Sequence, residues 1–404
     1  MRILHLCDSL NPAGLGGYES IIHYVSKAMA AEGHESFVAT QSPYRDSPET
    51  VRKQHYTVFH LPGNLLEARK WEFYALPEDE RDEAAEKLFR PNDLEEDVRT
   101  LTEQLAGLIH EIQPDAIHAH STYVVFNKVI TRLRSHSEME IPFVITIHGL
   151  PKPLILPNGK ETTDFKEFSS DVGFDLIIAV SEHVARAVRE HIASEMHDRV
   201  RTIYSGIDLS VFRPLLDVDK EWDLAFMGRL EPMKSVDLFP EMLSLLKSEF
   251  PNLKMMMTGE GSLKDRLFSE FDDRDVASMI DYKGVVDVDD VPILINKSRI
   301  FLYPSRREPF GLSIIEAMAC KVPVITTDVF GPREIVTHNY DGIAVPPDDV
   351  IALAEAAKKL LLDDELRNKI VQNAFRSVKE RYDIRKHAEQ LISIYQEVIG
   401  RLKK

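Results

Sequence analysis

Short runs of β-branched and other apolar residues alternate along the chain with longer segments in which apolar residues recur at helical spacing. The first run covers residues 1–7, a glycine-rich turn follows at 14–17, and a helical segment over 19–32 ends at Gly33. This alternation is typical of βαβ units built around a parallel sheet. The pattern therefore predicts an α/β protein.

The strand-like runs fall into two series. In the first half they cover residues 1–7, 36–40, 116–119, 143–147, 176–180 and 200–204. In the second half they cover 223–227, 253–258, 280–282, 300–303, 324–326 and 342–345, before a helical stretch from Val350 to the end. Each series predicts a doubly wound, Rossmann-like domain with its ligand site at the carboxyl ends of the strands.

A chain of 404 residues is too long for a single core, because such cores stop growing near about 250 to 300 residues. Residues 207–214 have no clear period, so we place the domain boundary there. The predicted domains are residues 1–205 and 206–383, and a C-terminal helix at about 384–404 is a candidate to pack back onto the first domain.

The charge and composition of the chain exclude several classes of protein. The 49 Lys and Arg against 66 Asp and Glu give a net charge of −17, which argues against a nucleic-acid partner. Much of the acid lies within 67–103, as expected for solvated helix faces. The N-terminus lacks the features of a signal peptide, no apolar run is long enough to cross a bilayer, and Cys7 and Cys320 lie far apart. We therefore expect a soluble, cytoplasmic protein.

The segment 304–319 follows a predicted strand and opens a helix. The first amides of a helix have no intrahelical partners and attract anions, so this junction suits a diphosphate, and Gly311 allows a close backbone approach. Glu308 and Glu316 flank the junction and could hold sugar or ribose hydroxyls. An alternative is that Ser313 and Glu316 form a capping box with no further role.

A basic loop follows another predicted strand, at residues 228–234. It places Arg229 and Lys234 together in an otherwise acidic protein, and such cations are suited to a diphosphate leaving group.

Together these segments resemble the retaining glycosyltransferases of family 4, also called glycosyl transferases group 1, over essentially the whole chain. Glu308 and Glu316 match the two glutamates of the family, and Arg229 and Lys234 match its basic pair. Residues 259–261 match a Gly-x-Gly loop, and residues 203–208 with Phe212 and Pro214 match an interdomain signature. The resemblance implies a GT-B fold, in which two Rossmann-like domains face each other across a cleft.

The resemblance also covers the first half. Residues 16–19 match a Gly-Gly-x-Glu loop, although alone they are a glycine turn before a helix. Residues 114–120 and 146–149 match two further strand-end motifs, which implies that His148 touches the reacting sugar. In this family the first domain binds the acceptor and the second binds the nucleotide sugar.

Roles for individual residues follow from the resemblance. The implied catalytic residues are His148, Glu308, Arg229 and Lys234. The implied donor-binding residues are Gly16, Gly17, Arg229, Lys234, Gly259, Val285, Glu308, Phe310, Gly311, Leu312, Ser313 and Glu316, and the acceptor-side residues are Glu19, His120 and His148. The donor is expected to be a UDP-sugar or a GDP-sugar, and the acceptor a small molecule, a saccharide or a lipid-linked saccharide, with at most peripheral membrane contact.

No cofactor and no metal are expected. Three histidines near one site could suggest zinc, but the family provides a metal-free precedent. Asp287 and Asp289 imitate the Asp-x-Asp of another transferase fold, yet they lie in a connecting loop and are expected to be surface acids. Departures from the family pattern occur at Ser205, Ser235 and Lys321, where asparagine, glycine and glycine are usual.

Other functions stay open at this point. A nucleotide-sugar epimerase or a pyridoxal-phosphate phosphorylase has the same fold, and a non-catalytic sugar-nucleotide-binding protein could keep it. A non-catalytic protein is disfavoured, because the sequence keeps all five ionisable residues of the family site, which are His148, Arg229, Lys234, Glu308 and Glu316. A dinucleotide-dependent oxidoreductase is rejected, because residues 14–17 do not continue into Gly-x-Gly-x-x-Gly.

Overall fold

The computed structural model describes residues 1–7, 17–42, 47–62, 93–120, 124–136, 141–151, 153–155, 161–169, 173–216 and 218–402. The chain divides into two compact units. The first takes Met1–Pro12, Tyr18–Ile203 and Ala388–Lys404, and the second takes Ala13–Gly17 and Tyr204–His387. Among the described residues, no helix is both long and apolar enough to cross a membrane.

The first unit is built on an eight-stranded sheet with a small separate hairpin. Its strands are β1 Arg2–Cys7, β2 Glu35–Ser42, β3 Glu49–Arg52, β4 Tyr56–Pro62, β5 Ala116–His120, β6 Phe143–Ile147, β7 Pro153–Ile155, β8 Glu161–Thr163, β9 Leu176–Ala179 and β10 Val200–Thr202. Its described helices are α1 Gly17–Ala31, α2 Asp93–Ile112, α3 Val124–His136, α4 Asp164–Ser169 and α5 Glu182–Arg189. A short 3₁₀ helix covers Ser194–Arg199.

The strand order in this sheet is β10-β9-β6-β5-β1-β2-β4-β3. Every pairing in it is parallel except the one between β3 and β4, which is antiparallel. The six predicted strands are present. Strands β3 and β4, and the hairpin of β7 and β8, were not predicted.

The second unit is a six-stranded, fully parallel sheet between helices. Its strands are β11 Trp222–Met227, β12 Met255–Thr258, β13 Ile280–Tyr282, β14 Ser298–Tyr303, β15 Val324–Thr327 and β16 Ile343–Val345. Its helices are α6 Phe239–Lys247, α7 Lys264–Asp273, α8 Val291–Asn296, α9 Leu312–Ala319, α10 Phe330–Ile335, α11 Val350–Leu362 and α12 Asp364–Arg381. Short 3₁₀ helices cover Pro232–Lys234, Val236–Leu238 and Ala277–Met279.

The strand order β13-β12-β11-β14-β15-β16 becomes 3-2-1-4-5-6 when the strands are counted within the unit. This is the order of the Rossmann fold, and it reverses direction between β11 and β14. Both strands have fully buried centres, with Leu224, Phe226, Ile300 and Leu302 in one core. The carboxyl ends of β11 and β14 therefore mark the position in this unit where a ligand is expected.

The entry and exit of the second unit lie side by side. The amide of Ile207 donates to the carbonyl oxygen of Tyr382, and the amide of Ile384 donates back to Ile207. A Cβ on Gly206 would come within 2.8 Å of the Cα of Ile384, so this crossing requires glycine. The last helix, α13 Ile384–Leu402, starts there, and from Ala388 onward it belongs to the first unit.

Candidate functional site

Two strand-end loops of the second unit, after β11 and after β12, pack against each other through their backbones. Gly259, at φ +113°, lies so close to the β11 loop that a Cβ would stand 2.0 Å from the carbonyl oxygen of Gly228. A Cβ on Gly261 would stand 2.4 Å from the carbonyl oxygen of Leu230, whose amide donates to Glu260 at 2.9 Å. The Gly-x-Gly segment thus fixes the loop that carries the basic residues.

Lys234, Tyr303 and Glu308 form a closed group of hydrogen bonds at the end of β14. The Lys234 Nζ donates to Glu308 Oε2 at 2.5 Å and to the Tyr303 hydroxyl at 2.8 Å. The Tyr303 hydroxyl donates to the same Oε2 at 2.6 Å, and the Lys234 ammonium lies 4.7 Å from the centre of the Tyr303 ring. The structure therefore brings Lys234, predicted to bind phosphate, into contact with Glu308, predicted to bind the sugar.

Tyr303 is the member of this group that sequence reasoning missed. It is buried, and burial, followed by the adjacent Glu308 carboxylate, raises its pKa well above the ordinary value. The phenol consequently keeps its proton and donates a hydrogen bond to Glu308. The only signal in the sequence was a polar hydroxyl on the last residue of a buried strand.

Arg306 holds the turn that carries Lys234 against β14. Its guanidinium makes a bidentate ion pair with Asp237 at 2.7 and 2.8 Å and donates to the carbonyl oxygen of Pro232 at 2.6 Å. A further hydrogen bond joins it to Asp348. Arg306 therefore positions the lysine, and its own charge is matched by carboxylates.

Arg229 has a different environment from Lys234. Its side chain is exposed, and its guanidinium lies 3.5 Å from the sulfur of Met233. Within the part of the chain that the structure describes, no carboxylate pairs with it. The guanidinium is available to an anionic ligand.

The N-terminus of α9 offers amides at the same sheet edge. Gly311 is the N-cap, at φ +116°, and it makes no side-chain capping bond. Across the described residues, the amides of Leu312 and Ser313 have no hydrogen-bond acceptor. Gly331 closes the back of this loop, since a Cβ there would lie 2.4 Å from the Cα of Phe310.

The same geometry rules out the capping-box alternative. Because α9 begins at Leu312 with Gly311 as N-cap, Ser313 is the second helical residue and Glu316 the fifth. A capping box requires the serine at the N-cap and the glutamate at the third helical position. Glu316 is therefore not retained as a cap.

Glu316 is a carboxyl group in apolar surroundings. The side chain is only partly exposed, and no hydrogen bond or ion pair to its carboxyl group is found among the described residues. Burial raises the pKa of Glu316 to about 7. A carboxyl group maintained at this cost is typical of a functional site.

Replacing Glu316 by glutamine is expected to stabilise the protein at pH 8. Between the ordinary pKa near 4.5 and about 7, the folded state keeps a proton that the unfolded state has lost, so stability falls as the pH rises through this window. Glu316→Gln removes that loss. We expect a gain of about 2 kcal/mol at pH 8 and little difference below pH 4.5, measured by denaturant unfolding.

The exposed Glu355 of α11 provides the control. Glu355→Gln is expected to leave the pH dependence of unfolding unchanged. A Glu316→Gln variant whose unfolding curve tracks the parent at both pH values would contradict the burial argument.

Two departures from the family pattern have a conformational explanation. Ser235 and Lys321, which stand where glycine is usual, have φ of +54° and +56°. Glycine adopts these left-handed values without penalty, whereas other residues pay about 1 kcal/mol or more. Among the described residues the buried Ser235 hydroxyl has no partner, so this position is occupied at a further cost.

Four histidines lie in contact in the first unit, around the carboxyl ends of β1, β5 and β6. His5 Nδ1 is 3.0 Å from His120 Nε2, and His120 Nδ1 is 3.2 Å from His148 Nε2. His118 stacks on His120 at 4.2 Å between ring centres. The predicted residues His120 and His148 are thus brought together, and His5 and His118 were missed.

His118 is anchored on both sides. Its Nε2 lies 2.7 Å from Thr146 Oγ1, and its Nδ1 lies 2.5 Å from the hydroxyl of Tyr395 on α13. Ligand nitrogens of His5, His118 and His120 lie within 4.8 Å of one another and could hold a metal ion. His5 Nδ1 and both ring nitrogens of His118 and His120 have hydrogen-bond partners in neighbouring rings and hydroxyls. The expectation of no metal stays a prediction.

The other predicted residues are placed as follows. Gly16 lies outside the described residues, and for Gly17 and Glu19 the structure gives only the backbone, at the start of α1. Val285 follows β13 and is 52% exposed. Asp287 and Asp289 lie in an exposed turn, as expected for surface acids.

Comparison with known proteins gives consistent results along the chain. A family model described as Glycosyltransferase Family 4 matches residues 15–211, and one described as Glycosyl transferases group 1 matches residues 210–377. Glycogen synthase from Mycobacterium tuberculosis is 24% identical over 415 residues, covering 98% of this chain and 94% of that protein.

Solved structures share the fold over nearly the full length. Sucrose-phosphate synthase from Thermosynechococcus elongatus has a TM-score of 0.78 at 19% identity, covering 99% of this chain and 100% of that one. The Anabaena protein HepE, solved in complex with UDP-glucose, has a TM-score of 0.69 at 18% identity, covering 98% of this chain and 100% of that one.

Proposed function

The chain belongs to glycosyltransferase family 4 and has the GT-B fold, and from this premise we propose that it transfers a hexosyl or N-acetylhexosaminyl unit from a nucleoside diphosphate sugar to an acceptor hydroxyl. The observation that carries the proposal is the contact of Lys234 with Glu308, beside the free amides of α9. A UDP-sugar is the favoured donor, because the structurally similar HepE was solved in complex with UDP-glucose. GDP-mannose is the second candidate.

Arg229 and Lys234 are proposed to bind the donor diphosphate. The exposed Arg229 guanidinium can bind phosphate oxygens in a bidentate manner. A lysine ammonium has three protons, and Tyr303 and Glu308 accept two of those of Lys234, which leaves the third for a phosphate oxygen. The two cations then neutralise the charge that builds on the leaving group.

Glu308 and Glu316 are proposed to bind hydroxyl groups of the donor. Both protein hydrogen bonds to Glu308 end on Oε2, and no donor among the described residues reaches Oε1. Oε1 can therefore accept from a sugar hydroxyl. Glu316 is assigned to the ribose, whose hydroxyls favour the ionised form of a carboxyl group that is otherwise partly protonated near pH 7.

Retention of configuration is proposed to proceed by front-face attack. Glu308 is the carboxylate assigned to the sugar, and its Oε2 is engaged by Lys234 and Tyr303, which lowers its value as a covalent nucleophile. The departing phosphate then takes the proton of the acceptor hydroxyl. In the first unit, His148 is assigned to the reacting sugar, and Glu19 and His120 to the acceptor side.

The proposal predicts donor binding without a divalent metal, because two cations and the helix amides already supply the positive charge. With excess EDTA, a UDP-sugar is expected to raise the melting temperature, corresponding to about 2.7 kcal/mol at a donor concentration of 100 times Kd. The measurement is a thermal-shift panel of UDP- and GDP-sugars with and without EDTA.

Two outcomes would contradict the proposal, the first in this panel and the second in NMR spectra of the donor incubated with the protein. One is a shift that EDTA abolishes and Mg²⁺ or Mn²⁺ restores. The other is interconversion of the donor into its 2-epimer without an acceptor, which would assign an epimerase instead. Binding of a donor with no transfer to any acceptor or to water would favour a non-catalytic binding protein.

A further inference from the structure

The contacts of His5, His120 and His148 form a continuous chain of ring nitrogens. His5 Nδ1 lies 3.0 Å from His120 Nε2, and His120 Nδ1 lies 3.2 Å from His148 Nε2. His5 is fully buried and His120 is 3% exposed, whereas His148 is partly exposed. The row of histidines therefore leads from the core of the first unit to a partly exposed residue.

Each contact between two neutral rings needs one N–H and one bare nitrogen. Burial lowers the pKa of His5 to about 4, so His5 is neutral and carries a single proton. Because His120 uses both of its nitrogens, only two arrangements satisfy both contacts. The donors point either from His5 toward His148 or from His148 toward His5.

The inner end of the chain distinguishes these arrangements. Within the described residues, His5 Nε2 is buried and has no hydrogen-bond partner. If the donors pointed toward His5, this nitrogen would carry a buried N–H with no acceptor, and orphaned buried N–H groups are rarer than orphaned acceptors. The other arrangement leaves only a bare lone pair at that position and places the proton of His5 on Nδ1.

We propose that His5 and His120 are positioning residues that fix His148 as the tautomer protonated on Nδ1. His5 donates to His120, His120 donates to His148 Nε2, and His148 keeps its proton on the nitrogen that this chain does not use. His148 then presents a hydrogen-bond donor to a sugar oxygen. This inference rests on the proposed contact of His148 with the donor sugar.

A matched pair of substitutions separates positioning from packing. Asparagine and leucine have nearly the same shape, but only the asparagine side chain keeps an N–H near the position of Nδ1. Both variants remove the orphaned Nε2 of His5, and only His5→Leu also removes the hydrogen-bond donor to His120. If His5 only fills space, the two variants should therefore be equally active.

The experiment combines ¹⁵N NMR of histidine-labelled protein with turnover of a UDP-sugar. In the parent protein His148 is expected to be protonated on Nδ1. His5→Leu should shift His148 toward the Nε2 tautomer and lower kcat about fivefold, with KM for the donor nearly unchanged. His5→Asn should retain the parent tautomer and stay within about twofold of the parent kcat.

A parent His148 protonated on Nε2 would overturn the proposal, as would a His5→Leu variant with the parent tautomer and the parent kcat. The NMR measurement needs no substrate. If no donor is turned over, the proposed function fails, while the tautomer of His148 still decides whether the histidine chain has the proposed direction.

Discussion

Lys234→Ala is expected to lower kcat by about 10² to 10³, the usual cost of losing one group that stabilises developing charge. The lysine is 12% exposed and lies against Glu308 and Tyr303, so its position is fixed before the substrate binds. The protein should remain folded, because Tyr303 still donates to Glu308 and Arg306 still holds the turn. Steady-state kinetics of nucleotide release, with circular dichroism of the variant, test this expectation.

Lys247 supplies the matched control. It is a lysine of the same unit, on α6, and its exposed side chain pairs with Asp275 at 2.6 Å. Lys247→Ala should keep the parent kcat. Near-normal turnover by Lys234→Ala would remove the lysine from the mechanism and with it the assignment of the diphosphate site.

Glu308→Gln is expected to lower kcat about 10²-fold while the Kd of the donor changes much less. Glutamine can accept the hydrogen bonds from Lys234 and Tyr303, so the local structure should persist. What is lost is the negative charge close to the anomeric carbon, where positive charge develops in the transition state. Comparison of kcat with the donor Kd from calorimetry separates these effects.

Glu260→Gln is the control for this variant. Glu260 is a carboxylate in the neighbouring strand-end loop, and it pairs with Lys264 at 2.8 Å. Its replacement should leave kcat close to that of the parent. A Glu308→Gln variant that loses donor affinity and kcat to the same extent would indicate uniform binding of the sugar and not a role in the transition state.

The strand at 143–147 is buried at every position, and its continuous apolar run predicted the bounds that the structure gives. The strand at 280–282 was also predicted with its observed bounds, although it lies at the edge of the second sheet and its residues are only partly buried. Strand β3 was missed because it is the edge strand of the first sheet, where Glu49 and Arg52 are exposed. Strand β4 lies between β2 and β3, and most of its described residues are only partly buried. An edge strand exposed on one side lacks the continuous apolar run that identifies a central strand.

The candidate site could be predicted in its charges but not in its pairings. Glu308 and Lys234 were recognised separately, yet they are 74 residues apart, and only the neighbouring positions of β11 and β14 bring them together. Tyr303 and His5 were missed for a related reason. A single polar residue in an apolar strand gives no indication of its partner on another strand.

Two departures from the family pattern, Ser235 and Lys321, concern the backbone conformation. Ser235 and Lys321 were recognised as unusual, but only the backbone shows that both lie at positive φ. The usual glycine at these positions reflects backbone geometry, so neither departure is a sign of an altered binding residue.

The central claim, transfer of a sugar from a nucleoside diphosphate donor without metal, is tested most directly by time-resolved ¹H NMR of the purified protein with a UDP-α-sugar in excess EDTA. We predict that the donor signal declines and that the first product, formed with the acceptor or with water, is the α-anomer. A donor that stays intact in EDTA and is consumed only after Mg²⁺ or Mn²⁺ is added would contradict the account.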